Sequence, residues 1–337
     1  MELKLKNIGI IKEADIKING LTVIAGENDS GKSTVGKVLY SVIKTISQSK
    51  ITPTSNLEYL NWQQYRNRFN QYVHSVFNEQ LSKGGTIEFD YGNAIFNIEI
   101  EYDNCTKFTI PENYEYDELG EFRPIVIETP FIWSILPTLN TADSLKARNR
   151  ELEFELSPMI DDLHYTLTRK LRSKSNDIKL NIEAIINGNF MQENGNFIFK
   201  KEHKNIALTN VAMGIKYFGI LQVLSSSNYL YKEQILILDE PEVHLHPKWQ
   251  LELANIIVFL VKSGVKILVN SHSPYMIEAL ERYSKIEDVP VDFYLAQNAN
   301  IQKIEDSNSR TLSAIFEKLS EPFDTFEKME SDRLQNS

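Results

Sequence analysis

Residues 21–34 read Leu-Thr-Val-Ile-Ala-Gly-Glu-Asn-Asp-Ser-Gly-Lys-Ser-Thr. The apolar run 21–25 predicts a buried strand that ends at Gly26, and the apolar spacing beyond Lys32 predicts a helix. Between them lies the spacing G-x-x-x-x-G-K-S, which lets the backbone turn so that its N–H groups point inward. The positive N-terminal end of the helix lies behind that turn. This stretch therefore predicts a phosphate-binding loop.

The loop assigns chemistry to individual residues. Lys32 is expected to reach the β- and γ-phosphates of ATP, and the Ser33 hydroxyl to ligate Mg²⁺. The alternative is a glycine-rich turn with a chance lysine, which the strand before it and the helix after it disfavour. The residues expected to bind the nucleotide are Gly26, Asn28, Asp29, Ser30, Gly31, Lys32, Ser33 and Thr34.

A second informative stretch is residues 234–241, Gln-Ile-Leu-Ile-Leu-Asp-Glu-Pro. Its four consecutive apolar residues predict a central parallel strand that places Asp239 and Glu240 at its carboxyl end. Phosphate chemistry occurs at that end of the strands in open α/β sheets. A solvated acidic pair is the alternative. Residues 265–270 predict another parallel strand, followed by Ser-His-Ser-Pro at 271–274.

Composition limits the classes of protein that fit. The 337 residues are 42% hydrophobic and include one cysteine, Cys105, so no intramolecular disulfide can form and we interpret this residue as packing. No run approaches the ~20 apolar residues of a membrane span, so we expect a soluble, cytoplasmic chain that does not bind membranes. The net charge of −10 gives no global footprint for nucleic acid, so any such contact must be local.

The order of patterns predicts one large domain over 1–337. Alternating residues at 2–19 predict an antiparallel strand pair before the loop, and a helical stretch is expected at 143–187. Near the end we expect edge strands at 291–304, a closing helix at 311–319, and fraying from Glu327. The predicted divisions are a first lobe with a β-rich sublobe at 1–130, a helical lobe at 143–224, a second half at 234–320, and a polar tail at 327–337.

Taken together, the motifs resemble those of the ABC-type ATPases of the SMC, RecF and OLD group, most closely the small prokaryotic OLD-like members. The resemblance rests on four segments in that family's order. They are Asn7-Ile8-Gly9 with its strand pair, the 26–34 loop, the Asp-Glu-Pro-Glu-Val-His-Leu-His-Pro run at 239–247, and 271–274. It implies an α/β P-loop NTPase fold, an ABC-type head with an antiparallel β sublobe, a central mostly parallel sheet and an inserted helical lobe.

The resemblance also implies roles for residues. Asp239 resembles the carboxylate that holds Mg²⁺, Glu240 the base that orients the attacking water, and His272 the switch histidine that contacts the γ-phosphate. With Lys32 these form the expected catalytic set. Residues 211–216 stand at the signature loop, where Ala212 and Gly214 would face the ATP of a second copy. The resemblance therefore implies a homodimer or a higher oligomer joined through its ATP sites.

Two positions depart from the family pattern. Ala212 replaces the signature serine, which removes a hydroxyl able to donate to the γ-phosphate; such a bond to a charged group contributes about 1.5–3 kcal/mol. Glu128 stands where the glutamine loop is expected, as a candidate metal or water contact. Both departures suggest slow hydrolysis.

The biological role is inferred by the same resemblance. The stretch 143–187 is too short for an SMC coiled coil, and the 65 residues after His272 are too few for the nuclease domain of OLD relatives. We therefore expect a separately encoded effector, a nuclease or toxin, in anti-phage defence of the Septu type. The alternative is a RecF-like DNA-binding clamp in repair. The basic stretches at 146–150, 169–174 and 200–204 are interpreted as solvated helical faces, with contact to nucleic acid or a partner subunit as the alternative. A transporter ATPase is disfavoured. The pair His244-x-His246 is interpreted as part of a loop across the dimer interface, and a zinc site is the alternative, for which no Cys or carboxylate cluster completes four ligands.

Overall fold

The structure of the protein, a computed structural model, describes residues 1–47, 62–78, 80–92, 94–111, 123–146, 156–171, 178–193 and 196–335. Its strands are β1 (Glu2–Ile8), β2 (Ile11–Lys17), β3 (Leu21–Gly26), β4 (Gly84–Tyr91), β5 (Ala94–Glu101), β6 (Asn104–Thr109), β7 (Ile125–Ile127), β8 (Asn189–Glu193), β9 (Asn196–Lys201), β10 (Lys204–Ala207), β11 (Ile235–Asp239), β12 (Lys266–Ser271), β13 (Val291–Gln297) and β14 (Asn300–Gln302). Its helices are α1 (Lys32–Ser47), α2 (Trp62–Phe77), α3 (Ile132–Lys146), α4 (Pro158–Thr168), α5 (Glu183–Ile186), α6 (Met213–Ser226), α7 (Pro247–Lys262), α8 (Pro274–Ile286) and α9 (Asn308–Gln335).

Within the described residues, eleven strands form one sheet in the order β6-β5-β4-β1-β2-β14-β13-β3-β12-β11-β7. Strands β13, β3, β12, β11 and β7 run parallel, whereas β6, β5, β4, β1 and β2 pair in antiparallel fashion. The predicted mixed α/β fold with an antiparallel region and a mostly parallel centre is confirmed. The antiparallel strands are continuous with the central sheet, because β2 pairs with β14.

The loop strand β3 lies in the middle of this sheet and separates two hydrophobic clusters. All six of its residues are buried. Leu21, Val23 and Ala25 belong to the cluster that includes α6, α7 and α8, whereas Ile24 belongs to the cluster that includes α1 and α2. Since successive strand residues point to opposite faces, helices cover both faces of β3. This packing fixes the position from which the phosphate-binding loop leaves the sheet.

The expectation that 291–304 forms edge strands is wrong. Strand β13 pairs in parallel with β3, from Val291 opposite Leu21 to Ala296 opposite Gly26, and its other side pairs with β14. The physical reason is visible in β13, where four consecutive residues are buried, the pattern of a strand covered on both faces. The edges of the sheet are β6 and β7.

The helical stretch expected at 143–187 is not continuous. Its described part contains the end of α3, then α4 and α5, with non-helical backbone at 169–171 and 178–182. Pro158 begins α4, and Asn187 ends α5 in the left-handed conformation at φ 50°. Residues 147–155 and 172–177 of the expected stretch lie outside the described residues.

The closing helix is longer than expected. The sequence predicts a helix at 311–319 and fraying from Glu327, but the backbone of α9 is helical from Asn308 to Gln335. Polar residues alone do not end a helix, because glutamate, lysine, arginine and glutamine have high helix propensity. None of the helices in the described ranges combines the length with the apolar composition needed to cross a bilayer.

The thiol of Cys105 is expected to be nearly inert in the native protein. The residue is 2% exposed, and burial raises the pKa of its thiol to about 12. Since the thiolate is the reacting form, we expect alkylation by iodoacetamide at pH 8 to be about 1,000-fold slower than for free cysteine. The same chain in urea should react at the ordinary rate. A native rate within tenfold of free cysteine would contradict the buried position in β6.

Candidate functional site

The loop after β3 has the shape that its glycines predict. A Cβ at Gly26 would lie 2.3 Å from the carbonyl oxygen of Ala296, so only glycine fits where β3 meets β13. Gly31 has φ +94°, and a Cβ there would lie 2.7 Å from Cγ1 of Ile11. Asp29 also adopts a left-handed backbone, at φ 60°. These positions turn the chain back toward α1 and produce the predicted strand–turn–helix arrangement.

The other loop residues line the same turn. Asn28 and Asp29 are exposed, and the Ser30 hydroxyl donates to the carbonyl of Glu27 at 2.7 Å. Ser33 and Thr34 lie in the first turn of α1 and are half-buried. Thr34 packs near Gly9 of the β1–β2 turn. The two turns therefore lie next to each other at this end of the sheet.

Lys32 is the first residue of α1 and is 4% exposed. Its Nζ donates to the carbonyl oxygens of Gly26 at 3.0 Å and Glu27 at 2.6 Å. Burial lowers the pKa of Lys32, and the nearby carboxylates of Glu240 and Asp239 oppose that shift. The lysine thus points into its own loop, within the electrostatic reach of the acidic pair that follows β11.

Strand register brings Asp239 to the loop. It is the last residue of β11 and lies opposite Asn270 of β12, which in turn lies opposite Ile24 of β3. The Asn270 side-chain amide donates to Oδ1 of Asp239 at 2.8 Å, which orients the carboxylate and leaves Oδ2 available. Together with the Ser33 hydroxyl, this carboxylate offers the hard oxygen ligands that Mg²⁺ prefers. The residues present therefore fit the predicted metal.

The left-handed backbone of Glu240 brings its side chain next to His272. Glu240 has φ 48°, and its N–H donates to the Asn270 carbonyl at 2.9 Å, so the chain turns where β11 ends. Its Oε1 lies 3.3 Å from Nδ1 of His272, and both side chains are partly exposed. A straight strand would point neighbouring residues to opposite faces, whereas this turn directs Glu240 toward the loop that follows β12.

Sequence reasoning missed Glu242. This residue is 5% exposed, and its Oε1 accepts hydrogen bonds from the Ser271 hydroxyl at 2.8 Å, the His272 N–H at 2.9 Å and the Ser273 N–H at 3.2 Å. The signal in the sequence was a further carboxylate two residues after Glu240, separated from it only by proline. Nothing in residue type or spacing distinguishes that carboxylate from a solvated one.

The predicted signature residues occupy two environments. Ala212 is exposed at the start of α6 and has no side-chain oxygen to cap the helix. Gly214 is buried, and a Cβ there would lie 3.0 Å from Leu245 and 3.1 Å from Trp249. Close packing against the 240–246 loop and α7 explains the glycine within one chain. Contact of either residue with the ATP of a second copy stays a prediction.

Glu128 lies at the same end of the sheet, directly after β7. Although its side chain is exposed, partial desolvation by the surrounding protein raises its pKa; Lys37 opposes the shift and Asp239 adds to it. Because Ile127 pairs with Leu238, Glu128 lies beside the carboxyl end of β11. Its role toward metal or water stays a prediction.

The His244-x-His246 pair has a structural explanation. His246 is the N-cap of α7, and its Nδ1 accepts from the Lys248 N–H at 3.3 Å. His244 has φ 68° in the preceding turn. Among the residues that the structure describes, no group of three or more His, Cys, Asp or Glu side chains is arranged to hold a metal ion. The pair thus shapes the turn that leads into α7.

A phosphate-binding loop on a central strand, an Asp-Glu pair two strands away and a histidine between them define a P-loop NTPase of the ABC type, in the SMC and OLD-like group. The chain belongs to the family described as "AAA domain, putative AbiEii toxin, Type IV TA system", whose model matches residues 21–278.

Individual relatives are distant. Over 320 residues the chain is 21% identical to the Septu protein PtuA of Bacillus thuringiensis, covering 89% of this chain and 79% of PtuA. It is similar in fold to an SMC head bound to the C-winged helix domain of ScpA, with 13% identity, a TM-score of 0.51 and coverage of 90% of this chain and 96% of that head. An SMC head from Thermotoga maritima matches with 13% identity, a TM-score of 0.46 and coverage of 90% and 98%.

Proposed function

We propose that this protein is a Mg²⁺-dependent ATP hydrolase that dimerises head to head on ATP and controls a separately encoded effector in prokaryotic anti-phage defence. The observation that carries the hydrolase proposal is the contact between Oε1 of Glu240 and Nδ1 of His272 at 3.3 Å. The contact lies near Lys32, whose pKa the carboxylates of Glu240 and Asp239 raise against the effect of burial. A predicted base and a predicted γ-phosphate contact, 32 positions apart in the sequence, meet where the phosphate chain would end.

In this mechanism the protein supplies positioning and electrostatics. The loop amides and Lys32 bind the phosphates. Ser33 and Asp239 would hold Mg²⁺, which would supply positive charge to neutralise the phosphate oxygens. The Glu240 carboxylate orients the attacking water and accepts its proton. His272 donates to the γ-phosphate, on which negative charge is redistributed in the transition state.

The dimer is proposed because the side chains of Glu240 and His272 remain partly exposed in one copy. The first N–H groups of α6 lack a side-chain cap, and helix N-termini of this kind bind anions. In a head-to-head dimer, Ala212 and Gly214 of each copy would present these groups to the ATP of the other. Because alanine provides no hydroxyl there, we expect slow turnover.

Control of an effector is proposed from the similarity to a Septu protein. The described residues after His272 form α8, β13, β14 and α9, and β13 lies in the centre of the nucleotide-binding sheet. The described residues after His272 therefore belong to the nucleotide-binding fold. The similarity to a Septu protein favours an effector on a separate polypeptide, a nuclease or toxin.

The alternative is a RecF-like clamp that binds DNA when ATP closes the dimer. It is favoured by one observation, the guanidinium groups of Arg123 and Arg169 that lie 4.1 Å and 4.8 Å from the centre of the Tyr165 ring. Arginine so placed can contact a phosphate backbone. ATP-dependent DNA binding by the isolated protein that weakens steeply with salt would support the clamp over the effector.

The experiment uses Glu240→Gln, which retains the shape of the site but cannot accept the proton of water. We expect hydrolysis at least 100-fold slower, the usual scale for loss of a general base. The variant should therefore accumulate with ATP as a dimer of twice the 38.9 kDa chain mass in light scattering, and bind the product of a neighbouring gene.

Glu240→Gln with ADP, and Lys32→Ala combined with Glu240→Gln in ATP, are the matched controls and should remain at the mass without nucleotide. If Glu240→Gln binds ATP but stays monomeric, the composite site is wrong. If it dimerises but no neighbouring product associates, the effector proposal fails and the clamp is tested next.

A further inference from the structure

Glu242 collects three hydrogen-bond donors on one oxygen atom. Its Oε1 accepts from the hydroxyl of Ser271 and from the backbone N–H groups of His272 and Ser273, at 2.8, 2.9 and 3.2 Å. The side chain is 4% exposed. Hydrogen bonds to a carboxylate are about twice as strong as neutral ones, and burial strengthens them further. Glu242 thus binds the backbone on both sides of the His272 Cα atom.

The loop held in this way is connected to two helices. Ser273 caps α8, since its hydroxyl accepts from the Met276 N–H at 3.4 Å, and the same hydroxyl donates to Gln250 of α7 at 2.7 Å. Without Glu242, those contacts still hold Ser273, but the His272 N–H loses its acceptor. A backbone shift of about 1 Å at such a position is enough to misplace a catalytic group.

We propose that Glu242 is a positioning residue that fixes the backbone of His272 so that its imidazole lies against Glu240 and faces the γ-phosphate. This inference rests on the proposed ATPase function. The ring Nδ1 lies 3.3 Å from Oε1 of Glu240 and 3.5 Å from Oε1 of Glu242. Glu242 therefore places the histidine, whereas Glu240 contacts water and His272 contacts phosphate.

The Oε2 atom of Glu242 adds a second observation. It is buried and has no hydrogen-bond partner within the described residues, and the same holds for the hydroxyl of Tyr217 on α6. Burial raises the pKa of Tyr217 well above its usual value, and Glu242 is the first of the charges that add to this rise. A buried carboxylate with an unpartnered oxygen is weak evidence for a contribution to folding stability. The hydrogen bonds of Glu242 to the 271–273 loop therefore explain its presence better.

The first test is hydrogen exchange of the peptide covering 270–276 without nucleotide. In Glu242→Ala we expect the His272 and Ser273 amides to exchange at least 10-fold faster than in the wild type. Glu242→Gln, which keeps a neutral acceptor, should lie between the two. The matched control is Glu278→Ala, which removes an exposed carboxylate of α8 paired with Arg282 and should leave exchange unchanged.

The second test separates positioning from simple loss of structure. Because ADP lacks the γ-phosphate, its dissociation constant in Glu242→Ala should stay within twofold of the wild type, while kcat for ATP falls at least 10-fold and Glu242→Gln recovers part of it. Unchanged exchange at His272, or equal weakening of ADP and ATP, overturns the proposal. If Glu242→Ala does not fold, Glu242→Gln is the test. Amide exchange and kcat in Glu242→Gln equal to those of the wild type would then overturn the proposal. If the wild-type protein does not hydrolyse ATP, the proposed ATPase function is refuted. The exchange experiment does not depend on that activity and still tests whether Glu242 holds the backbone of His272.

Discussion

Replacing Lys32 by alanine is expected to weaken ATP binding at least about 100-fold, since a lysine on the β- and γ-phosphates provides charge-assisted hydrogen bonds worth about 1.5–3 kcal/mol each. The side chain is 4% exposed and donates to the carbonyls of Gly26 and Glu27, so it is already in the loop before nucleotide arrives. Little conformational entropy is then lost on binding. Titration with a fluorescent ATP analogue gives the dissociation constants directly.

Lys262→Ala is the control for loss of one positive charge. This lysine is exposed at the end of α7 and pairs with Glu287, so its removal should leave ATP affinity within about twofold, the scale of surface ion pairs. An affinity for ATP in Lys32→Ala within fivefold of the wild type, in a folded protein, would show that the 26–34 loop is not the phosphate site.

The second large effect concerns stability, where Asp162→Ala should lower the free energy of unfolding by about 3–5 kcal/mol, the cost of breaking a buried ion pair. Asp162 of α4 accepts from Lys44 of α1 at 2.5 Å with each oxygen and from the Tyr40 hydroxyl at 2.6 Å. The side chains of the ion pair are 6% and 7% exposed. The substitution leaves a buried ammonium group without its carboxylate.

The loss in the free energy of unfolding of Asp162→Ala, relative to the wild type, should become smaller as the pH rises. Burial lowers the pKa of Lys44, and Asp162 opposes that shift, so removing Asp162 lowers it further. Between the folded pKa and the unfolded value of about 10.4, the unfolded chain binds more protons, and stability therefore rises with pH. Urea unfolding at neutral and alkaline pH measures this trend.

Lys107→Ala is the comparison for an exposed pair. Its partner Glu99 and Lys107 itself are more than half exposed, so this change should cost less than about 1 kcal/mol. The double variant Asp162→Leu with Lys44→Met should be more stable than Asp162→Leu alone, because it leaves no unpaired buried charge. A loss in Asp162→Ala no larger than that in Lys107→Ala would contradict the buried pair.

The phosphate-binding loop and the acidic pair could be predicted from sequence because their signals are local. Gly31 has φ +94°, a backbone conformation of the turn itself that favours glycine, and the spacing of Gly26, Gly31, Lys32 and Ser33 lies within eight residues of sequence. The apolar run before Asp239 identifies a strand covered on both faces. Such features depend little on the rest of the chain.

The order of the strands could not be predicted in the same way. β13 follows β12 in sequence but lies on the far side of β3, and its apolar run fits any strand covered on both faces. Glu242 was missed for a related reason. Its importance arises from three donors on a loop 29 to 31 residues away, and no periodicity in the sequence reports such a contact.

The join between β2 and β14 determines which parts of the molecule can move independently. Through β14 and β13, the antiparallel arm is hydrogen-bonded without interruption to the strand that carries the phosphate loop. A partner protein that binds the edge strand β6 would therefore be connected to the phosphate-binding loop through one continuous hydrogen-bonded sheet. Helices α3 to α6 are not strands of that sheet, so we expect any rigid-body movement on ATP binding to occur between these helices and the sheet.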